Sequence, residues 1–261
     1  MVYARDLPYE QRVVLYNNVI KLREKGLSYR EISIKTGLPK STVALWLEGR
    51  CKPNIRYKEP NLSPSSELSY LIGAYHADGT SHPKKYKIMF RVRDRDFAEE
   101  ISKSIDHIFG WKKSKIGLFK QKYRGREIVF YQIQVYSKQL YELLTNFNKC
   151  IPIVEKYPAD FVRGFADGDG SVYCGKYQKS IEITNTDISL LRYVSQLLER
   201  IGIYSKIYGP YRNRYYLHID RYKDIVEYYR LIGFSINRKE KTLSRIVKRY
   251  EGGFAAKTAE R

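Results

Sequence analysis

Asp78 and Asp169 occupy the same position in two similar nine-residue segments of the chain. Each precedes the final glycine of its segment, LIGAYHADG at residues 71–79 and VRGFADGDG at residues 162–170. If each segment is helical, its aspartate lies at the C-terminal end, where the helix dipole disfavours negative charge. Two such carboxylates side by side also repel each other, so the pair requires a cation. Oxygen ligands of this type favour Mg²⁺.

Small residues in both segments predict that these helices pack unusually closely. They recur four residues apart in each segment, at Gly73, Ala77, Gly164 and Gly168. A strip of small residues lets two helix backbones approach, and that approach would bring Asp78 and Asp169 together. Each aspartate is followed by a helix-terminating glycine. The predicted metal site therefore comprises Asp78, Asp169, Gly79 and Gly170.

The similarity continues downstream and indicates an internal duplication. At the same offset of 91 residues, FRVRDRD (residues 90–96) corresponds to IEITNTD (residues 181–187). A gapless match of this length predicts two copies of a helix–strand–strand–helix unit. The two copies would form one pseudo-symmetric domain.

Composition indicates a polyanionic partner. The 261 residues include 48 Lys and Arg against 28 Asp and Glu, giving a formal charge of +20. Nucleic acid is the default partner of such a chain, and a solvated basic surface is the alternative. Three cysteines do not suggest a disulfide framework or a zinc site. No signal peptide or apolar span of membrane length is evident, so we expect a cytoplasmic protein, nucleoid-associated if prokaryotic.

Residues 1–52 are predicted to form a helix-turn-helix domain. Ser28 and Glu31 form a capping box, Gly37 ends a short helix, and another helix begins at Lys40 or Ser41. The segment resembles the helix-turn-helix of small DNA-binding domains, which would place Lys40, Ser41 and Thr42 in a major groove. A plain three-helix bundle is the alternative. Residues 53–62 are predicted to be a linker, followed by a helix with Ser63 as its N-cap and Pro64 as its first residue.

The paired motifs resemble those of the LAGLIDADG homing endonucleases of the single-chain, two-motif kind. The resemblance covers roughly residues 65–250 and implies an α+β fold with two αββαββα halves, at residues 63–157 and 158–261. It implies a saddle over DNA and divalent metal at Asp78 and Asp169. Mg²⁺ would be the cofactor, Mn²⁺ would substitute, and Ca²⁺ would bind without supporting cleavage. The sequence departs from the family at His76, where the second motif has Asp167, and at Ala74, which corresponds to Phe165.

Polar residues on the predicted strands are candidates for contacts with DNA. Arg, Lys and Gln suit the base edges of the major groove. The candidates are Lys87, Arg91, Arg93, Gln132, Gln134, Lys179, Arg212 and Arg214. Alternatively, these residues form only the solvated faces of two-layer sheets.

Basic residues are also expected near the metal, where they would orient water and balance phosphate charge. The segment at residues 232–241 resembles the part of the family that supplies such a lysine. It offers Lys239 and Lys241, of which Lys241 is preferred, and Lys149 is the candidate in the first half. A solvated helix face explains these lysines equally well.

These features together predict a monomeric, Mg²⁺-dependent, site-specific double-strand DNA endonuclease with a long, non-palindromic target. The alternative is a non-cleaving transcription regulator or an RNA maturase built on the same fold. Retention of Asp78 and Asp169 favours the nuclease. The chain shows no N-terminal Cys or Ser and no C-terminal His-Asn, so a free-standing protein is favoured over an intein remnant. An intron-encoded origin would suit the same family.

Overall fold

The computed structural model describes residues 3–53, 59–110, 114–123, 125–176 and 178–259. The chain divides into two compact units, Met1–Glu59 and Pro60–Arg261. Residues 54–58 of the predicted linker lie outside the described part of the chain.

The first unit packs helices α1 (Tyr9–Glu24), α2 (Tyr29–Thr36) and α3 (Lys40–Leu47) around a small apolar core. Ser28 caps α2 in a capping box with Glu31, and Gly37 ends the helix with a φ of 69°, a conformation that glycine adopts without strain. The core residues come from all three helices and the turn between α2 and α3, and are Val19, Ile32, Leu38, Val43 and Trp46.

The first half of the second unit follows the predicted order of elements. The elements are α4 (Ser66–Asp78), β1 (Gly79–His82), β2 (Lys87–Val92), α5 (Arg95–Phe109), β3 (Gly117–Tyr123), β4 (Arg126–Tyr136), α6 (Lys138–Leu144) and α7 (Phe147–Lys156). The strands form an antiparallel sheet in the order β1-β2-β4-β3. The predicted start of α4 was wrong. Ser65 is the N-cap, because its side chain accepts the Leu68 N–H, and Ser63 and Pro64 precede the helix.

The second half repeats the same arrangement. Its elements are α8 (Pro158–Asp169), β5 (Gly170–Cys174), β6 (Lys179–Asn185), α9 (Ile188–Arg200), β7 (Lys206–Tyr211), β8 (Arg214–Ile219), α10 (Tyr222–Leu231) and α11 (Asn237–Ala259). The sheet order is β5-β6-β8-β7, which reproduces that of the first half. The predicted α+β fold with a duplicated αββαββα unit is confirmed.

A single apolar core runs through both halves. Alternation along the strands places Ile88, Phe90 and Val92 of β2, and Ile181 and Ile183 of β6, on the buried faces of the sheets. The open faces carry the intervening polar residues. Because the core is continuous, we expect the two halves to unfold together. In the described part of the chain, no helix has the length and apolar character needed to cross a membrane.

Candidate metal and nucleic-acid site

Helices α4 and α8 pack backbone to backbone at two glycines. A Cβ placed on Gly73 would overlap the carbonyl oxygen of Phe161 and lie 2.8 Å from the amide nitrogen of Phe165. A Cβ on Gly164 would overlap the carbonyl oxygen of Tyr70 in the same way. The two contacts are related by the offset of 91 residues. Glycine is therefore required at both positions, and the structure brings the predicted small-residue strips together.

The same packing brings the helix ends together. A Cβ on Gly168 would lie 2.5 Å from Ala77 Cβ and 3.0 Å from Asp78 Oδ2. Asp78 thus lies against the residue that precedes Asp169. The two predicted metal ligands, from opposite halves, occupy one site.

Gly79 and Gly170 lead each helix directly into a strand. Their φ angles are −75° and −92°, so they do not form the left-handed cap that a helix-terminating glycine usually provides. Instead, the chain folds back so tightly that a Cβ at Gly79 would lie 2.7 Å from Tyr75 Cα, and one at Gly170 would lie 3.1 Å from Ala166 Cα. These glycines allow the sharp turn that leaves each aspartate at the helix end.

Both aspartates hold their protons more tightly than an ordinary carboxyl group. Burial raises the pKa of Asp169 to about 7, with a further contribution from the charge of Asp78. Asp78 is exposed to solvent on one side. The protein atoms around its other sides partly desolvate the carboxyl group, and this raises the pKa of Asp78. The charge of Lys239 opposes this rise in the pKa of Asp78. Burial therefore disfavours the charged forms of both carboxylates, the charge of Asp78 adds to this at Asp169, and a cation between them would relieve that cost.

Asp78 and Asp169 differ in the residue at the equivalent supporting position of each half. Asn185 Nδ2 donates a hydrogen bond of 2.6 Å to Asp169 Oδ2. Asp94 occupies the equivalent position of the first half, but its carboxylate accepts two bonds of 2.8 Å from Arg238 of α11. Asp94 also adds to the rise in the pKa of Asp78. The duplicated sequence thus supports its two carboxylates in different ways.

The first acidic position of the second motif has a structural role. Asp167 is buried, and its carboxylate accepts hydrogen bonds from Tyr70 Oη at 2.7 Å and from the Ser235 N–H at 3.0 Å. His76 occupies the equivalent position of the first motif and packs edge-on against Phe147. Its buried Nε2 has no hydrogen-bond partner among the described residues, and burial lowers the pKa of His76 to about 4. His76 therefore acts as an uncharged packing residue.

Lys239, rather than Lys241, has a charge that acts on both paired aspartates. Its side chain is only 4% exposed, and Nζ donates hydrogen bonds to the carbonyl oxygens of Ala166 at 2.9 Å and Asp167 at 2.5 Å. Burial lowers the pKa of Lys239 to about 8. Lys241 and Lys149 are exposed on their helices. The predicted preference for Lys241 is therefore corrected, because α11 begins at Asn237 and turns Lys239 towards α8.

The donor set suits a hard divalent cation that shares its ligands with a substrate. Within the described residues, no group of three or more His, Cys, Asp and Glu side chains could hold a metal ion. Asp78 and Asp169 supply carboxylate oxygens, and Gly79 and Gly170, the other two residues of the predicted site, follow them directly in the chain. A Mg²⁺ bound there would complete its coordination with water or phosphate oxygens, as is usual in sites that bind phosphates.

The open face of the first sheet presents basic side chains and side-chain amides. Arg91 Nε donates to Gln132 Oε1 at 2.8 Å, and the guanidinium lies 3.9 Å from the centre of the Phe119 ring. Gln134, two residues after Gln132 in β4, is exposed on the same face. Lys87 lies on the same face of β2, and Arg93 follows that strand as an exposed residue. These five predicted residues lie together on an uncovered surface.

The second sheet requires one correction. Lys179, Ile181 and Ile183 occupy alternate positions of β6, so the Lys179 side chain lies on the same helix-covered face as the two buried isoleucines. Its Nζ is 5.1 Å from the ring centre of Tyr250. It is not available to the open face. Arg214 is exposed at the start of β8, and Arg212 is exposed in the preceding turn with a φ of 48°.

In the first unit, α3 presents its N-terminal turn to solvent. Lys40 and Ser41 are exposed and Thr42 is half-buried, whereas Val43 and Trp46 fill the core. The exposed side of the helix is therefore the one that carries the predicted contacts.

Comparison with known proteins identifies the family. Residues 156–233 match the model of the LAGLIDADG-like domain. The chain is 30% identical over 275 residues to the uncharacterized protein MJ0398 of Methanocaldococcus jannaschii, an alignment covering 95% of this chain and 98% of that protein. This chain belongs to the LAGLIDADG family.

Other LAGLIDADG comparisons agree with the fold. The chain is 24% identical over 204 residues to the homing endonuclease I-ApeI of Aeropyrum pernix, covering 70% of this chain and 87% of that protein. Full-length WhiA from Thermatoga maritima superposes with a TM-score of 0.53 at 19% identity, covering 77% and 69% of the two chains. A crystal structure of I-DmoI with DNA and Ca superposes with a TM-score of 0.51 at 19% identity, covering 70% of this chain and 100% of that one.

Sequence reasoning missed two features of this LAGLIDADG protein. It preferred Lys241 to Lys239, although the spacing from Asn237 could have indicated which lysine lies in the first turn of α11. It also overlooked Glu182 and His218, whose side chains meet on the open face of the second sheet at 2.9 Å. The offset of 91 residues, which aligns Glu182 with Arg91, was the available signal.

Proposed function

We propose that this chain is a site-specific double-strand DNA endonuclease that depends on divalent metal. The observation that carries the proposal is the pair Asp78 and Asp169, forced together by backbone contact between α4 and α8 although burial raises the pKa of both and the charge of Asp78 adds to the rise at Asp169. A protein that only binds DNA gains nothing from such an arrangement. The I-ApeI relative supports the same activity.

The residues around the site have distinct proposed tasks. Asp78 and Asp169 would hold Mg²⁺, which when bound activates water for attack on a phosphodiester and stabilises the leaving oxygen. Asn185 would fix the orientation of Asp169. Lys239 would be a positioning residue, because it binds the last carbonyls of α8 and brings positive charge beside the carboxylates. Mn²⁺ would substitute for Mg²⁺, and Ca²⁺ would support binding alone.

The partner we propose is double-stranded DNA with a long, non-palindromic target. The formal charge of +20 favours a polyanion, and the open faces of the two sheets carry different residues at equivalent positions. The first unit would add contacts through Lys40, Ser41 and Thr42. A chain with both halves in one polypeptide would act as a monomer, and we propose a cytoplasmic location.

The test is cleavage of a complex DNA pool with and without Mg²⁺. Wild type would be compared with Asp78→Asn and Asp169→Asn, and with Asp220→Asn as a control at an exposed position. Discrete Mg²⁺-dependent double-strand cuts that are lost in the first two variants and kept in the control are the expected result. Tight sequence-specific binding without cuts would instead place the protein among non-cleaving DNA-binding regulators. Specific binding of structured RNA alone would favour the maturase alternative.

A further inference from the structure

An acidic side chain is held in a defined position on the open face of the second sheet. Glu182 pairs with His218 across β6 and β8, and the distance between Glu182 Oε2 and His218 Nε2 is 2.9 Å. Thr184 Oγ1 donates to Glu182 Oε1 at 3.3 Å. The Tyr208 ring meets the His218 ring edge-on, with centroids 5.2 Å apart. The carboxylate is therefore oriented from two sides, and the Glu182 side chain remains 32% exposed.

This position is the counterpart of Arg91 in the first sheet. The offset of 91 residues aligns the two side chains, and both lie on open faces. Each is tied to the neighbouring antiparallel strand, Arg91 to Gln132 of β4 and Glu182 to His218 of β8. One half of the molecule thus offers hydrogen-bond donors where the other half offers acceptors.

A carboxylate on a surface that faces DNA needs a specific reason. It repels phosphate, and the chain otherwise carries an excess of positive charge. In the major groove, however, Glu accepts a hydrogen bond from cytosine N4, and Arg donates to guanine O6 and N7. A carboxylate that points into the major groove, rather than at the DNA backbone, would accept the cytosine hydrogen bond without approaching a phosphate.

We infer that Glu182, oriented by Thr184 and His218, reads a cytosine in the half of the target bound by the second sheet, whereas Arg91 with Gln132 reads a guanine in the other half. The inference rests on the proposed function. If Arg91 and Glu182 read different bases at equivalent positions of the two half-sites, this pair of residues alone makes the target non-palindromic. His218 is a positioning residue, because it acts through Glu182.

The experiment is selection of bound duplexes from randomised DNA by the full chain in Ca²⁺ without Mg²⁺, so that cleavage is not required. Wild type should enrich cytosine about ten-fold at one position. Glu182→Gln should lose this preference, and Glu182→Arg should replace it with guanine. Glu127→Gln is the matched control, because Glu127 forms a cross-strand ion pair with Lys120 at 2.9 Å on the other face of the first sheet.

The outcomes separate the inference from the proposed function. Selected sites with the same preference in wild type and Glu182→Arg would overturn the inference and leave DNA binding intact. Loss of the preference in Glu127→Gln as well would also overturn it, because the effect would then be general. If wild type enriches no duplex at all, the proposed function fails first and the inference fails with it. A change of preference to guanine cannot result from misfolding.

Discussion

Asn185 donates a hydrogen bond of 2.6 Å from Nδ2 to Asp169 Oδ2. A hydrogen bond to the carboxylate favours its charged form, so it lowers the pKa that burial raises. Asp78 has no equivalent amide, because Asp94 stands in that position and is bound by Arg238. The two carboxylates of the site are therefore inequivalent before any ligand binds.

Replacing Asn185 with Ala should raise the pKa of Asp169 above about 7. The physical reason is the loss of a hydrogen-bond donor that stabilises the charged form of Asp169, while burial and the charge of Asp78 remain. Carboxyl NMR titration of wild type and variant measures the change directly. Asn148→Ala, an exposed substitution on α7, is the control. An unchanged titration of Asp169 in Asn185→Ala would contradict the assigned hydrogen bond.

Stability without metal should fall as pH rises through about 7. The pKa of Asp169 in the folded chain is about 7, above the value of about 3.9 for an unfolded Asp, so the folded state binds the proton more tightly. The resulting stabilisation is complete below about pH 4 and is lost as pH rises through the folded-state pKa. Urea unfolding across this range should show the decline in wild type. The decline should be smaller in Asp169→Asn, and an identical slope in both would refute the assignment.

Excess Mg²⁺ should reverse that loss. A ligand that binds only the folded state at a hundred times its Kd stabilises it by about 2.7 kcal/mol. Thermal melts at pH 8 with and without Mg²⁺ should therefore show a higher Tm with the metal in wild type. Asp78→Asn should show little response, although its own Tm without metal should be higher because charge repulsion is relieved. Equal responses in both proteins would argue against a shared metal site.

Gly73→Ala should be among the most damaging single substitutions in the chain. The new Cβ would overlap the Phe161 carbonyl, and backbone cannot yield as a flexible side chain does. We expect a loss of roughly 3 kcal/mol or more, at the upper end of the range for overpacking. Gly117→Ala is the matched control, since its nearest neighbour would be Gln132 O at 3.6 Å. Comparable losses of unfolding free energy for the two variants would show that α4 and α8 are less closely packed.

Lys239→Met and Lys241→Met should differ although they are two residues apart. Removing the Lys239 ammonium takes the donor from the buried Asp167 carbonyl of α8, whereas the Ala166 carbonyl keeps the Gly170 N–H, and a buried group left unpaired costs about 1–3 kcal/mol. Lys241 is exposed, and its replacement should change the unfolding free energy by less than about 0.5 kcal/mol. Chemical denaturation distinguishes these results. Cleavage assays should show a loss of rate for Lys239→Met alone.

The duplication allowed much of the fold and the two central aspartates to be predicted from the sequence. Because the two copies are 91 residues apart, a helix, strand or site residue recognised in one half identifies its counterpart in the other. Gly73 and Gly164 marked the helix contact, and the alternation in β2 marked its open face. Such features depend on local spacing, which a sequence displays directly.

The errors arose where long-range packing decides the outcome. Which lysine of α11 faces the site depends on where that helix begins and what it packs against, and Lys179 lies on the covered face because of the register of β6 with β5. Likewise, Asp94 and Asn185 align in sequence, but only Asp94 meets Arg238, which comes from a helix more than a hundred residues later. A local pattern does not contain such partners.

The contact between Gly73 and Gly164 has a consequence for how this protein can diversify. The separation of the two aspartates is fixed by main-chain atoms, so it does not depend on which side chains the sheets display. Arg91 and Glu182 show that equivalent positions on those sheets already differ in sign. Changes on the sheets can therefore accumulate while the geometry of the paired aspartates is inherited unaltered, and the two halves can evolve towards unrelated sequences at separate rates.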